Sequence, residues 1–472
     1  MTIALYKTKH LGRLNLRPWR LNLITSFKDR LYVAVHDVIF VYDLDCQLVD
    51  QIKVITASEL GHTTSGGTDE FGTTINQIIS GYCGKLETVA IVLDDGGVCI
   101  YDIHSLKKPL YYFNSVSTWG IDIHKNGLLA VSCNDKKIKV WKVASAFDQN
   151  DPQTWLEELQ VRYGSYKEPL ITEASLLGHS HNIPSISFST CGKFITSASI
   201  DKTCRVWSIE HNACIAIHIT SHQWGWISKC FSTSYCNLVD QSELEDSITQ
   251  DISTSVPTYP ALNRSTQQYY ENSSVEIDGA LVQVQQIFED SSSSLSNTDS
   301  IHSNPTPSTS PQSPLPPSIS SEFTDLIIHC TKYDLMLYKL VPIYDSGSIL
   351  STRFETLYSC SNIVRTLPNR RQVALLEHFD RLCLMQCIPE QGVIVLASQQ
   401  SSGCFMQLNK SKNKNKYYLK TIKLFDDAAP ESPLAGISIL SHIHPKYASL
   451  SYYLIYTLYL DGTLLIYRMN PF

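Results

Sequence analysis

The chain has 472 residues, of which 43% are hydrophobic and 10% aromatic, ample for a large buried core. No apolar run reaches the roughly 18 residues of a membrane span. The opening MTIALYKTKHLGRLNLRPWR has no apolar stretch followed by a small-residue cleavage site, so neither a membrane span nor a secretory signal is expected. The net charge of −7 is uneven: residues 241–322 hold 11 acidic side chains against one basic, Arg264, which leaves the remainder slightly basic.

Along the chain one unit recurs: an apolar run, a polar turn, and a second apolar run that ends in an aromatic residue. This is the pattern of paired strands. A first strand, TIALYKTKHL, is free to complete the last sheet. The first unit runs from about Trp19 to Asp50 around RLYVAVHDVIFVYD. After the polar loop SELGHTTSGGTDEFG, the second spans about Thr74 to Asn114 around LETVAIVLDDGGVCIYD, closing on Tyr101. The third, about Val116 to Ala144, contains NGLLAVSCNDKKIKVW with Asp135 in its turn and Trp141 at its end. A charged insertion follows, within which TWLEELQVRY reads as a short helix.

The fourth unit, about Ile171 to His211, is the sharpest, and the fifth opens with HQWGWISKCF and is then interrupted. It resumes at Phe323 with TDLIIHCTKYDLMLY. The sixth, about Phe379 to Leu408, contains QGVIVLASQQSSGCFMQ, and SKNKNKYYLK after it reads as a basic surface hairpin or loop. The seventh, about Pro433 to Tyr467, contains YYLIYTLYLDGTLLIY.

The interruption at 236–322 is rich in Ser, Thr, Gln, Asp and Pro. Such composition cannot bury enough apolar surface to offset chain entropy, so disorder is expected. The chain therefore divides into 1–235, the insertion 236–322, and 323–472. Thr306, Ser310 and Ser313 each precede a proline and suit proline-directed kinases. ALVQVQQIF is the insertion's one apolar stretch.

Residues Leu176 to Trp207 read LLGHSHNIPSISFSTCGKFITSASIDKTCRVW. Gly178-His179, two alternating segments, a turn aspartate and a closing tryptophan resemble one WD-repeat blade, a four-stranded sheet of a β-propeller. The resemblance implies a hydrogen-bonded tetrad of His179, Ser197, Asp201 and Trp207. One blade cannot bury its own faces, so the weaker copies are expected to be blades too. The expectation is an all-β chain folded as a single seven-bladed WD40-type propeller, with the insertion inside blade 5 and the N-terminal strand closing the ring.

Partners of propellers dock mainly on the rim where the loops before the inner strands emerge. Trp19, Trp119 and Trp224 each stand just before an innermost strand, with Trp226 beside the last. They form a candidate partner-binding patch, since Trp is enriched at interface hot spots; the plainer alternative is that they cap the channel mouth and pack between blades. No nucleophile–base pair, GxSxG, P-loop or HExxH occurs, so no enzymatic activity, cofactor or small-molecule substrate is expected. The fourteen scattered cysteines fit buried free thiols, and Cys383 and Cys387 lack a second ligand pair for a metal. Direct nucleic-acid binding through the lysines near 410–420 is not expected.

Several strings are more specific than the repeat: RPWRLNL, STWGIDIHKNGLLAVSCNDKKIKVW, GHSHNIPSISFS, SIDKTCRVW and HQWGWISKCF. Together they resemble the fungal WD-repeat regulators of ribonucleotide reductase gene transcription. The resemblance covers about Arg17 to Phe231. It implies a nuclear and cytoplasmic scaffold in the DNA-replication-stress response, associated with a cullin-type ubiquitin ligase through a large propeller adaptor. In place of the adaptor-docking Trp-Asp-x-Arg, this chain reads Trp207-Ser208-Ile209-Glu210 and Trp141-Lys142-Val143-Ala144. A structural subunit of a chromatin or RNA-processing complex is the alternative.

Overall fold

The computed structural model describes the chain apart from residues 18, 63–72, 115, 144–170, 221–222, 233–235, 240–273, 278–279, 284–322, 346–347, 362, 364–380, 400–402, 413–415, 426–429, 431, 444–450 and 472. Seven antiparallel sheets follow one another round a ring, each entered at its innermost strand. Blade 1 comprises Ile24–Phe27, Arg30–Val35, Val38–Asp43 and Leu48–Lys53; blade 2, Ile75–Cys83, Leu86–Leu93, Gly97–Asp102 and Ser105–Phe113. Blade 3 comprises Thr118–His124, Leu128–Cys133, Lys137–Lys142 and Ile171–Leu177; blade 4, Ser185–Phe188, Phe194–Ala198, Thr203–Ser208 and Ala213–Ile219. Blade 5 is Gly225–Phe231, Leu326–Thr331, Leu335–Asp345 and Ser348–Cys360, and blade 6 is Leu382–Ile388, Val393–Ser398, Gly403–Ser411 and Tyr417–Leu424. Blade 7 is Leu434–His442, Tyr452–Tyr459 and Thr463–Asn470, and its fourth strand is the N-terminal Thr2–His10, antiparallel to Thr463–Asn470. The first and last segments thus close the ring, which removes the exposed edge an open array would leave.

Burial falls from the channel outward. In blade 1 the inner strand Ile24–Phe27 is almost wholly buried, whereas the outermost Leu48–Lys53 is exposed at nearly every position. The core lies between blades: Ile24, Val33 and Ile39 of blade 1 share one cluster with Ile78 and Ile91 of blade 2 and Tyr456 and Ile466 of blade 7. Such a sheet is stable only against its neighbours, which is why the apolar runs recur at every unit.

Three boundaries differ from the sequence reading. Ile171–Leu177, read as the start of blade 4, pairs with Lys137–Lys142 and is the fourth strand of blade 3. The sequence repeat begins one strand before the blade, so repeat and sheet are out of phase. Tyr417–Leu424, read as a surface hairpin or loop, is the outer strand of blade 6, held by buried Tyr417, Tyr418 and Leu419 while Lys420 and its neighbours face solvent. Asn237–Val239 falls within the expected insertion, yet pairs in parallel with Asn409–Ser411. Most of 236–322, with Thr306, Ser310 and Ser313, and the helix expected in TWLEELQVRY lie outside the described residues.

Candidate protein-docking site at the channel mouth

Blade 4 carries a polar chain that fixes its turn. Trp207 Nε1 donates to Ser197 Oγ (2.8 Å), and Ser197 Oγ lies 2.8 Å from His179 Nε2. His179 Nδ1 in turn lies 2.8 Å from Asp201 Oδ2. Burial lowers the His179 pKa, so the ring is neutral. Its Nδ1–H then donates to Asp201 and its Nε2 accepts the Ser197 hydroxyl proton, and every donor in the chain finds an acceptor. Burial pushes the Asp201 carboxyl up, but the His179 hydrogen bond and those from Thr203 and the Ser180 N–H outweigh it and hold it well below the usual carboxylate range. Other turn aspartates are anchored differently. Asp461 of blade 7 accepts from the Thr463 N–H and hydroxyl, and Asp135 of blade 3 from the Cys133 thiol and the Lys137 N–H. Asp95 of blade 2 takes the Ala57 and Gly97 amides, while His62 stacks on Phe113 instead. This network is architectural: it ties the blade 4 turn to the third strand.

The functional candidates lie at the mouth. A cavity of about 260 Å³ runs down the ring axis, lined by inner-strand residues such as Thr25, Gln77, Asp122, Ile186, Trp226 and Cys383 of six successive blades. At its entrance the strands start irregularly. Register shifts follow Thr118, Gly225 and Leu382. The glycines of the Trp-Gly strings are sterically required there. A Cβ on Gly120 would stand 2.5 Å from Ser132 Oγ and 3.2 Å from the Pro184 carbonyl; one on Gly225 would stand 3.1 Å from the Ser199 carbonyl. The glycine lets the neighbouring blade close in, and the tryptophan before it is left at the rim.

Trp224 is 41% exposed and packs edge-on against Trp226, which is buried (centroids 6.2 Å). Trp226 is in turn covered by the Arg381 guanidinium at 4.1 Å, and the same guanidinium stands 6.0 Å from the Trp19 ring. Trp19 adopts φ 68°, a left-handed conformation that a bulky side chain rarely takes. Arg381 thus joins Trp19, Trp226 and Trp224 in one array. Trp119 holds the equivalent place on blade 3, half-buried, without a ring contact to that array among the described residues. Its indole N–H, like that of Trp226, has no hydrogen-bond partner among the described residues.

Arg381 and its supports were not legible as site residues. Arg381 Nη2 donates to Gln399 Oε1 (3.1 Å), and Gln399 Nε2 donates to the Arg20 carbonyl (2.8 Å). Arg20 pairs with Asp94 (2.9 Å), which also accepts from Thr74. Burial pushes the Asp94 carboxyl up despite that cation. One signal was present: Arg381 immediately precedes the inner strand of blade 6, as Trp224 precedes that of blade 5. Among the described residues no three His, Cys, Asp or Glu side chains gather as a metal cluster, and the cysteines are free thiols, most of them buried. No described helix is long and apolar enough to cross a membrane.

A ring of seven blades, closed by its N-terminal strand and bearing the Trp–Ser–His–Asp chain in blade 4, is a seven-bladed β-propeller with WD-type repeats. Residues 107–142 and 171–208 match the family described as WD domain, G-beta repeat. Each match starts on the outer strand of one blade and ends on the third strand of the next. The chain is 31% identical over 246 residues to a WD40 repeat-containing protein of Dictyostelium discoideum, covering 51% of this chain and 30% of that protein. It is 27% identical over 223 residues to an uncharacterized WD repeat-containing protein of Schizosaccharomyces pombe, covering 44% and 43%. The chain thus spans less than half the length of these relatives. Among solved structures, a chain from the crystal structure of the mitotic checkpoint complex superposes with TM-score 0.52 at 10% identity, covering 99% of this chain and 92% of that one. That likeness is one of fold.

Proposed function

We propose that this chain is a non-catalytic WD-repeat scaffold that recruits a protein partner at the rim bearing Trp19, Trp119, Trp224 and Trp226. The observation that carries the reading is the array Trp19–Arg381–Trp226–Trp224 at the mouth of the channel, with a half-exposed indole at its outer end. A solvent-facing tryptophan backed by buried aromatic and guanidinium groups is the composition of an interface hot spot. In the cell we assign the scaffold to transcriptional control of ribonucleotide reductase genes and to the replication-stress response, in nucleus and cytoplasm, with a cullin-type ligase as an associated assembly. The support for that assignment is the set of Trp-Gly and repeat strings between Arg17 and Phe231. Affinity purification with mass spectrometry, with and without a replication inhibitor, tests both levels. The reading expects a partner set that changes with the inhibitor and includes transcriptional or ligase components. A fixed set of chromatin or RNA-processing subunits, indifferent to the inhibitor, would replace it.

A further inference from the structure

Arg381 is a cation in an uncommon position. It is 9% exposed, and its partners are all uncharged at neutral pH: a hydrogen bond to Gln399, a second to the Cys383 sulfur, whose thiol burial holds above its ordinary value, and two aromatic contacts. Its Nε has no partner among the described residues, and no described carboxylate pairs with it. Arg20, nearby on the same rim, shows the ordinary solution: buried to a similar degree, it is bound to Asp94 at 2.9 Å. A buried guanidinium without an anion is costly, and replacing it by an apolar side chain is often neutral or stabilising. Retaining it makes sense when an anion arrives from outside. The Trp226 ring lies against the guanidinium at 4.1 Å, and the Nε–H is left without a partner among the described residues, an N–H of the kind a carboxylate accepts from.

We propose that the channel mouth at Arg381 is a carboxylate-reading subsite for an acidic peptide segment of the partner, in which an Asp or Glu side chain meets the Arg381 edge while flanking apolar residues pack on Trp224 and Trp19. This rests on the rim-docking reading and names the chemistry it selects. One unpaired cation matches the single charge of a carboxylate. A phosphate would call for a second, and Arg20 is already engaged by Asp94. The aromatic walls keep water from the ion pair, which strengthens it.

The test uses the full chain and an array of short peptides carrying a central Glu between aliphatic or aromatic residues, beside matched arrays with Gln and with phosphoserine. The tightest Glu sequence is then titrated by fluorescence anisotropy. The wild type should bind it at least about tenfold more tightly than its Gln counterpart. R381Q should remove that preference, while W224A weakens both peptides together. Melting of R381Q checks its fold, and the Glu-against-Gln comparison on the wild type needs no variant. Equal binding of Glu and Gln peptides, a Glu preference that survives in folded R381Q, stronger binding of phosphoserine, or no Glu peptide above background each overturns the subsite. Because W224A reports on the rim and R381Q on the carboxylate, failure of one is distinguishable from failure of the other.

Discussion

Replacing Asp201 by alanine removes the acceptor at the end of the blade 4 chain. The carboxylate, 3% exposed, takes hydrogen bonds from four donors: His179 Nδ1–H, the Ser180 N–H, and the N–H and hydroxyl of Thr203. Ser180 and Thr203 lie near enough to solvent to find water, so their loss costs little. The His179 side chain is fully buried, and its Nδ1–H would exchange a carboxylate at 2.8 Å for the Thr203 hydroxyl at 3.2 Å as its one remaining described acceptor, a loss of about 1–3 kcal/mol. Arg205, 4.0 Å away, loses its anion as well, bringing the expected loss to about 2–4 kcal/mol. Within a ring of this size that corresponds to a fall in melting temperature of about 2–5 °C, read by differential scanning fluorimetry or calorimetry. Asp461→Ala is the internal control. It removes the same Thr463 turn bonds in blade 7, but its site is exposed, so its cost should stay below about 1 kcal/mol. If Asp201→Ala melts no lower than Asp461→Ala, the chain from Trp207 to Asp201 does not stabilise the blade.

Three further outcomes are expected. Trp226→Ala, which empties a buried site under Arg381, should destabilise by about 3–5 kcal/mol in a urea titration, unlike substitution of Trp224. Burial lowers the His329 pKa to about 3, so the folded ring stays neutral where the unfolded one protonates. Its contribution is complete above about pH 6.5 and is lost as pH falls; at pH 5 the loss is about 2 kcal/mol, and His329→Asn should flatten the melting-temperature profile between pH 7 and 5. Deleting residues 1–10 removes the strand paired with Thr463–Asn470 and should give oligomers or aggregate by light scattering, because the opened edge can pair with another chain.

The ring was legible because its physics repeats. Strands buried on both faces need continuous apolar runs, and a turn aspartate and closing aromatic punctuate most pairs, as in SIDKTCRVW, though not the blade 6 pair around LASQQSSGCFMQ. What escaped were elements whose residues serve a neighbour rather than their own strand. Ile171–Leu177 follows a long polar stretch, so nothing local tied it to blade 3, and Tyr417–Leu424 carries lysines that mask its buried tyrosines. The rim showed the same split. Trp19, Trp119 and Trp224 stood out by their shared offset, yet the residue that joins Trp19 to Trp226 is Arg381, far off in sequence and unremarkable in composition. Only the closing of the ring brings blade 6 beside the entry to blade 1 and the inner strand of blade 5.

The central claim is that the rim is a docking surface, and Trp224 tests it most directly, since its indole is 41% exposed and contributes little to the core. Trp224→Ala should melt within about 1 °C of the parent and lose its principal partner in a quantitative pull-down, with about thirtyfold or greater loss of affinity, the effect of removing about 2 kcal/mol. A folded Trp224→Ala protein that keeps every partner at parental affinity would contradict the account.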